Sequence, residues 1–281
     1  MSPFTLPDSV LEQLMQDDSP FGDATSWGLG IGEEPGRIIF RAKHAQTVCC
    51  TEEAARMAVM RGLSVDGSIE ASGTTVEPGR VLLCLTGRAV DLQSVWKPAQ
   101  TLMEYSAGIA SATLDLVAAA RRGNPDIVIA CSRKHMPGAK AICLKAILVG
   151  GAVPHRLGLS ESLVILAQHR TFLRGETLDK TIDRLHRDWP ERRVVIEVKS
   201  EADAITCINA GADVIQLDRC SPQVIEKVAR YAAGRPVKIA AIGGISISNA
   251  ETYARAGAHI LITSAQYSAK PKDVSVILEP N

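Results

Sequence analysis

The sequence predicts an α/β protein with an N-terminal α+β sandwich domain followed by an incomplete β/α barrel of about six strands. After residue 107, short apolar runs alternate regularly with helix-like segments. These runs are continuously apolar, which is typical of parallel strands that are buried on both faces. No GxGxxG motif occurs early in the chain, and this disfavours a dinucleotide-binding sheet. We therefore predict domains at residues 1–107 and 108–281, with the last residues as candidates for packing back on the first domain.

The first domain combines helix and strand patterns. Asp8 is predicted to cap the first helix. Strands are predicted at Arg37–Ala42 and Val81–Thr86, the second of them after a Glu-Pro-Gly turn. Helical patterns at Glu52–Arg61 and Leu92–Tyr105 alternate with them. This order favours a sandwich with a largely antiparallel sheet.

The second domain repeats a strand and a helix. The predicted strands are Ile127–Cys131, Leu163–Leu166, Val194–Val198, Val214–Leu217, Ile239–Ile242 and Ile260–Thr263. The predicted helices are Ala139–Val149, Leu178–Arg187, Ala202–Ala210, Pro222–Ala232 and Asn249–Ala256. Gly211 and Gly257 follow two of these helices, at the position where a left-handed glycine commonly ends a helix.

Composition excludes several classes of protein. The 281 residues are 46% hydrophobic and 22% charged, as in an ordinary globular protein. Lys and Arg total 31, as do Asp and Glu, so no net charge draws the chain to nucleic acid or to a membrane surface. The acidic N-terminus lacks a signal-peptide pattern. The 7 cysteines include no CxxC pair, so we expect a reduced, cytoplasmic protein without a structural zinc site.

The residues that suggest chemistry follow the ends of the predicted barrel strands, where the loops of a β/α barrel form the active site. They are Arg133, Lys134, His155, Arg156, Glu197, Lys199, Asp218, Gly243, Gly244 and Ser264. Several cations at one mouth indicate a site for a multiply charged anion. A glycine pair that opens a helix would let backbone N–H groups approach a phosphate. The two carboxylates indicate sugar hydroxyls or a bound Mg²⁺ as further partners.

Each of these features alone also has an ordinary structural interpretation. An Arg-Lys pair is commonly a solvated surface, a single histidine is commonly structural, and a glycine pair is commonly a tight turn. Glu197 is more specific, because a carboxylate within the apolar run VVIEV needs a partner. The shared position of the residues at strand ends is what favours a functional site.

The same residues resemble the quinolinate phosphoribosyltransferases, also called nicotinate-nucleotide pyrophosphorylases. The resemblance is carried by Ser132-Arg133-Lys134, Pro137-Gly138, His155-Arg156-Leu157-Gly158-Leu159, Glu197, Leu217-Asp218 and Gly243-Gly244-Ile245, with Phe21-Gly22-Asp23-Ala24-Thr25 and Ser106-Ala107-Gly108-Ile109-Ala110. Two segments, Gly151–Glu161 and Ile262–Ala265, are similar to the ModD branch, which is named for its association with molybdate-transport operons.

The resemblance implies a fold, a reaction and an assembly. The fold is an N-terminal sandwich followed by an incomplete barrel. The reaction joins a pyridine dicarboxylate to phosphoribosyl pyrophosphate (PRPP), releases pyrophosphate and decarboxylates the adduct. The subunits form a homodimer in which the neighbour's N-terminal domain completes each active site. By position, the anionic pocket would be lined by Arg133, Lys134, His155 and Arg156. The ribose hydroxyls and Mg²⁺ would contact Glu197 and Asp218, and the 5′-phosphate would lie near Gly243, Gly244 and Ser264.

Several positions depart from the family pattern. Leu166 stands where the family has a lysine that contacts the substrate's carboxylates, and it is followed by Ala167 and Gln168 where the family has an Asp-Asn pair. Lys97 replaces an arginine that the family supplies from the partner subunit, and Lys199 replaces a second acidic residue. A leucine beside a carboxylate loses a charge-assisted contact. The pattern therefore predicts that the PRPP half of the site is kept and that the quinolinate half is altered.

The leading hypothesis is a pentosyltransferase that uses PRPP with an acceptor other than quinolinate, with a link to molybdate uptake. A second hypothesis is a non-catalytic oxyanion or nucleotide binder in molybdenum handling. Such a binder would have no reason to keep Glu197 and Asp218. A third is true quinolinate activity through rearranged cations, namely Lys199 or Lys97.

Overall fold

The structure is a computed structural model that describes residues 4–173 and 175–281. The helices are α1 (Asp8–Asp18), α2 (Ala24–Leu29), α3 (Thr51–Met60), α4 (Ala89–Gly123), α5 (Lys140–Val149), α6 (Ala167–Arg170), α7 (Leu178–Asp188), α8 (Glu201–Asn209), α9 (Pro222–Ala232) and α10 (Ala250–Arg255). The strands are β1 (Pro35–Ala42), β2 (Gln46–Thr47), β3 (Ser64–Val65), β4 (Thr75–Val76), β5 (Val81–Arg88), β6 (Val128–Cys131), β7 (Val153–Pro154), β8 (Leu163–Ile165), β9 (Val194–Val198), β10 (Val214–Asp218), β11 (Lys238–Ile242), β12 (Ile260–Thr263) and β13 (Val274–Pro280).

The chain folds into two compact units, each of which combines separate stretches. The first unit contains the described residues up to Leu114, together with His135–Gly151 and Gln266–Asn281. The second unit contains Asp115–Lys134 and Ala152–Ala265. These units differ from the domains predicted at residues 1–107 and 108–281, because two later stretches group with the N-terminal residues.

The first unit is built on an antiparallel sheet with the strand order β13-β1-β5-β3. Burial along β1 alternates at its start, so one face of the strand packs into the core and carries Ile38 and Phe40. The C-terminal strand β13 pairs with β1 along its length, from Gly36 opposite Pro280 to Ala42 opposite Val274.

Two expectations for the first unit were wrong. The first helix begins at Asp8, with Pro7 as its N-cap, and none of the side chains that the structure describes caps it. Asp8 instead forms an ion pair with Arg56. The helix predicted at Leu92–Tyr105 extends over Ala89–Gly123, because Ser106 and Gly108 do not end it. Gly108 allows the backbone of Lys270 to approach the helix closely, since a Cβ at this position would lie 2.4 Å from the carbonyl oxygen of Lys270.

The second unit is built on a seven-stranded sheet with the order β7-β6-β12-β11-β10-β9-β8, in which neighbouring strands are parallel. The prediction of about six strands missed β7, which contains only Val153 and Pro154. A two-residue strand that ends in proline has too little apolar sequence to be recognised. The incomplete barrel that we predicted is confirmed.

Helices connect most of these strands, and two of these helices are followed by a left-handed glycine as the sequence predicts. Gly211 and Gly257 follow α8 and α10 with left-handed φ values of 92° and 98°. The buried interior carries Val164, Val195 and Ile262 from three strands, and partly buried Leu166 packs against it. Because the strands are parallel, their carboxyl ends meet at one edge, and the loops after them are brought together there.

Among the residues that the structure describes, no helix combines the length and the apolar character that crossing a bilayer requires.

Candidate active site

A cavity of about 570 Å³ lies within the second unit, at the carboxyl ends of its strands. Most of the predicted site residues line it. These are Arg133, Lys134, His155, Arg156, Leu166, Glu197, Asp218, Gly243, Gly244 and Ser264. Residues at or near the carboxyl ends of seven strands therefore converge, although up to 131 positions separate them in the sequence.

One side of the cavity is cationic. Arg133 and Lys134 follow β6, while His155 and Arg156 follow β7. The backbone N–H of His155 donates to the carbonyl oxygen of Cys131 over 2.9 Å, which ties the second loop to the end of β6. In the described part of the chain, neither arginine forms an ion pair with a carboxylate. Unpaired cations in a concave site bind anions readily, because no internal partner has to be displaced.

The pKa values of His155 and Arg156, which follow β7, also show the effect of this charge. Burial lowers the pKa of His155, and the positive charges of Arg156 and Arg133 lower it further. Burial and the charge of Arg133 likewise lower the pKa of Arg156, although Glu161 opposes this. The cavity thus disfavours additional positive charge, and a bound anion would remove that penalty.

The first testable prediction concerns His155. In the free protein, its pKa should lie below the ordinary value of about 6.5. As the pH falls through 6.5 towards the lower folded pKa, the unfolded chain takes up a proton that the folded protein does not. This residue therefore makes the protein less stable in that window, and the effect is absent above 6.5. Bound pyrophosphate should raise the pKa of His155, so the affinity of the protein for pyrophosphate should increase as the pH falls.

An NMR titration of the histidines with and without pyrophosphate measures both effects. His259 is the internal control, because burial and Lys238 lower its pKa as well, but it does not line the cavity. Its titration should not change with pyrophosphate. A free-protein pKa of His155 at or above 6.5, or one that pyrophosphate leaves unchanged, would contradict the prediction.

The carboxylates lie on neighbouring strands. Glu197 in β9 accepts a hydrogen bond from Nε2 of Gln216 in β10, over 2.7 Å. Asp218, at the end of β10, has its Oδ2 4.0 Å from Nζ of Lys199. No group of three or more His, Cys, Asp or Glu side chains that could hold a metal ion occurs among the described residues. Mg²⁺ is commonly held by only one or two carboxylates together with substrate phosphates, so this pair fits an ion that arrives with a phosphorylated substrate.

The glycine pair forms a turn after β11. Gly243 and Gly244 have φ values of 90° and 75°, in the left-handed region. A Cβ on Gly243 would lie 2.5 Å from Cγ of Arg219, so only glycine fits against this side chain. The expectation that the pair opens a helix was wrong, because α10 begins six residues later at Ala250. Gly244 has open space around its Cα and leaves its backbone accessible from the cavity.

Lys199 does not line this cavity, although it lies beside Asp218, and Lys97 lies elsewhere in the structure. Lys97 is exposed on α4, where its Nζ donates to Oε1 of Gln100 over 2.9 Å and lies 5.2 Å from the ring centre of Trp96. It lines a different cavity of about 680 Å³ within the first unit. Within one chain, the structure therefore does not bring Lys97 to the cavity of the second unit.

Gln216 and Arg219 also line the cavity of the second unit, and neither was a predicted site residue. Gln216 is a polar residue within the apolar run VIQLD, the same signal that singled out Glu197. Arg219 follows the strand with a left-handed φ of 54°, and its N–H donates to the carbonyl oxygen of Ile242 over 2.8 Å. That conformation is uncommon for a residue with a side chain and often marks a functional site.

Comparison with known families then decides the classification. The family model "Quinolinate phosphoribosyl transferase, N-terminal domain" matches residues 23–107, and the model of the C-terminal domain matches residues 109–277. The chain belongs to the quinolinate phosphoribosyl transferase family. This confirms the resemblance found in the sequence.

Relatives within the quinolinate phosphoribosyl transferase family support the ModD branch. The protein "Putative pyrophosphorylase ModD" of Rhodobacter capsulatus is 42% identical over 255 residues, which cover 90% of this chain and 98% of the relative. A protein of the same description from Escherichia coli O6:H1 is 33% identical over 278 residues and 98% of both chains. The crystal structure of NadC from Streptococcus pyogenes has a TM-score of 0.89 at 23% identity, with 98% of this chain and 96% of that chain covered. The last comparison shows the fold.

Proposed function

We propose that the protein is a phosphoribosyltransferase that uses PRPP with an acceptor other than quinolinate. The observation that carries the proposal is a single cavity with unpaired cations on one side and two carboxylates on neighbouring strands. A polyanion that also bears sugar hydroxyls would use both features. Leu166 in the same cavity argues against a dianionic acceptor.

The chemistry required is a displacement at the anomeric carbon of the ribose. The bond from that carbon to the pyrophosphate oxygen breaks, and a bond from the carbon to a ring nitrogen of the acceptor forms. Arg133, Lys134 and Arg156 would neutralise the negative charge that grows on the departing pyrophosphate. Glu197 and Asp218 would accept hydrogen bonds from the ribose hydroxyls, which keeps the sugar in place as positive charge develops on its ring.

The 5′-phosphate and Mg²⁺ have candidate partners in the same cavity. The turn at Gly243 and Gly244 and the side chain of Ser264 would receive the 5′-phosphate. Glu197 and Asp218 would hold Mg²⁺ together with oxygens of PRPP, and the bound ion would supply further neutralisation of the pyrophosphate charge. His155, with its lowered pKa, would lie neutral beside the anion at pH 7 and gain a proton more easily once it is bound.

A second candidate is a non-catalytic binder of oxyanions, linked to molybdate. The unpaired arginines favour it, because they suit any oxyanion. The carboxylates do not, because they would repel molybdate. Thermal-shift measurements with PRPP and Mg²⁺ or with molybdate distinguish the two, since a bound ligand raises the unfolding temperature. Stabilisation by molybdate alone would favour the binder.

The second testable prediction concerns the two arginines. Arg133→Ala and Arg156→Ala should each weaken PRPP binding by about 1.5–3 kcal/mol, as expected when a hydrogen bond to a charged group is lost. Calorimetry with PRPP and Mg²⁺ measures the change. Arg230→Ala is the matched control, because Arg230 pairs with Glu226 on the exposed side of α9 and should leave the affinity unchanged. Unchanged affinity in both site variants would contradict the assignment of the cationic side.

The third testable prediction concerns assembly. We propose a homodimer in which Lys97 of one subunit reaches the cavity of the other. Lys97→Ala should then weaken PRPP binding without changing the mass of the dimer, and Lys97→Arg should retain binding because the charge remains. Sedimentation at micromolar concentration and calorimetry test these statements. A monomer, or unchanged affinity in Lys97→Ala, would contradict the proposal.

A further inference from the structure

Gln216 has a buried amide oxygen for which the described residues supply no hydrogen-bond donor. The side chain is 2% exposed and lines the cavity of the second unit. In the sheet, Gln216 lies beside Glu197 on one neighbouring strand and beside Ala240 on the other. Its Oε1 has no partner among the described residues. Buried amide oxygens in proteins are almost always hydrogen-bonded, so a donor from outside the chain is to be expected.

The orientation of the amide follows from Glu197. The carboxylate accepts hydrogen bonds, and it accepts one from Nε2 of Gln216 over 2.7 Å. Rotating the amide by half a turn would place its oxygen against the carboxylate oxygen, and two acceptors would then repel each other. The nitrogen is therefore held at Glu197, and Oε1 is the atom that remains for a ligand.

Part of the cavity lining is apolar. Leu166, Ile242 and Ile262 line it together with Gln216. A carboxylate placed here would meet hydrocarbon, the oxygen of the amide and the charge of Glu197. A neutral ring with an N–H or O–H would bury its apolar surface against these side chains and donate to Oε1. The surroundings therefore favour a ligand that is neutral and carries a hydrogen-bond donor.

We infer that Oε1 of Gln216 accepts a hydrogen bond from an N–H or O–H group of the acceptor substrate, and that this substrate is a neutral nitrogen heterocycle. The inference rests on the proposed phosphoribosyl transfer, and it specifies the chemical class of the acceptor. Gln216 is the residue that distinguishes such an acceptor from an anionic or donor-free one.

Two pairs of probe rings test the inference by calorimetry at a saturating concentration of PRPP. The pairs are nicotinamide with N,N-dimethylnicotinamide, and benzimidazole with 1-methylbenzimidazole. Each pair keeps a ring nitrogen that can attack the ribose, and methylation removes the N–H donor. The N–H member of at least one pair should bind about tenfold more tightly than its methylated partner. Gln216→Leu should abolish this preference, measured at a PRPP concentration that saturates the variant.

Gln46→Leu is the matched control. Gln46 is also buried, and the described part of the chain offers its Oε1 no partner, but it lies in β2 of the first unit. This variant should keep the preference, so loss of a buried glutamine as such is separated from loss of the contact. A preference that survives Gln216→Leu, equal binding within both pairs, or no binding of any probe while PRPP binds would each overturn the inference. Failure of the unmutated protein to bind PRPP would instead overturn the proposed function together with this inference.

Discussion

Turnover of quinolinate should be absent or very slow in this protein. Leu166 lines the cavity and packs against the apolar interior, where the family pattern places a lysine that contacts the substrate's carboxylates. A dianion bound there would lose its water without gaining a charged partner. Lys199 is not a free substitute, because Asp218 lies 4.0 Å from its Nζ. A missing charged partner discriminates by several orders of magnitude, far beyond the effect of one methylene group.

The assay follows nicotinate mononucleotide formation from PRPP and quinolinate. Leu166→Lys should increase any residual activity, although Ala167 and Gln168 do not reproduce the residues that the family has beside its lysine. Leu166→Met is the matched control, since it keeps the volume and adds no charge. Turnover near one per second by the unmutated protein, which lies in the ordinary range of enzymes, would show that the interpretation of Leu166 is wrong.

Lys145→Met should lower the free energy of unfolding by about 3–5 kcal/mol, the usual cost of removing one partner of a buried ion pair. Lys145 on α5 forms an ion pair with fully buried Glu53, and its Nζ lies 3.5 Å from Oε2 of Glu52. Burial opposes the charge of Lys145, but Cys50, Glu53 and Glu52 together hold its pKa above the ordinary value. Without the lysine, the charge of Glu53 remains buried and loses its counter-ion.

Urea unfolding measures this loss. The double variant Lys145→Met/Glu53→Gln should recover much of the stability, because no buried charge is left and the glutamine oxygen still accepts from the N–H of Leu6. Arg230→Met breaks the exposed pair with Glu226 and serves as the control, with an expected loss below about 1 kcal/mol. A loss of similar size in Lys145→Met would mean that the buried pair contributes no more than a surface pair.

The amino-acid sequence by itself determined the fold class and indicated most of the candidate site residues. The apolar runs of the second unit are local patterns, and burial on both faces of a parallel sheet makes them continuous enough to recognise. Because parallel strands place all their carboxyl ends at one edge, the sequence alone predicts that the polar residues after those runs lie together at that edge. Arg133, Arg156, Glu197 and Asp218 were found in this way.

Contacts between distant residues were decided only by the tertiary structure. Nothing local in the sequence indicates that Gln216 donates to Glu197 or that Lys199 lies beside Asp218. The last residues were candidates for packing on the first domain, but the register in which β13 pairs with β1 was not predicted. Hydrogen bonds and ion pairs of this kind depend on strand register and side-chain direction. Both are set when the whole sheet packs, because shifting a strand by one residue would turn every side chain to the opposite face.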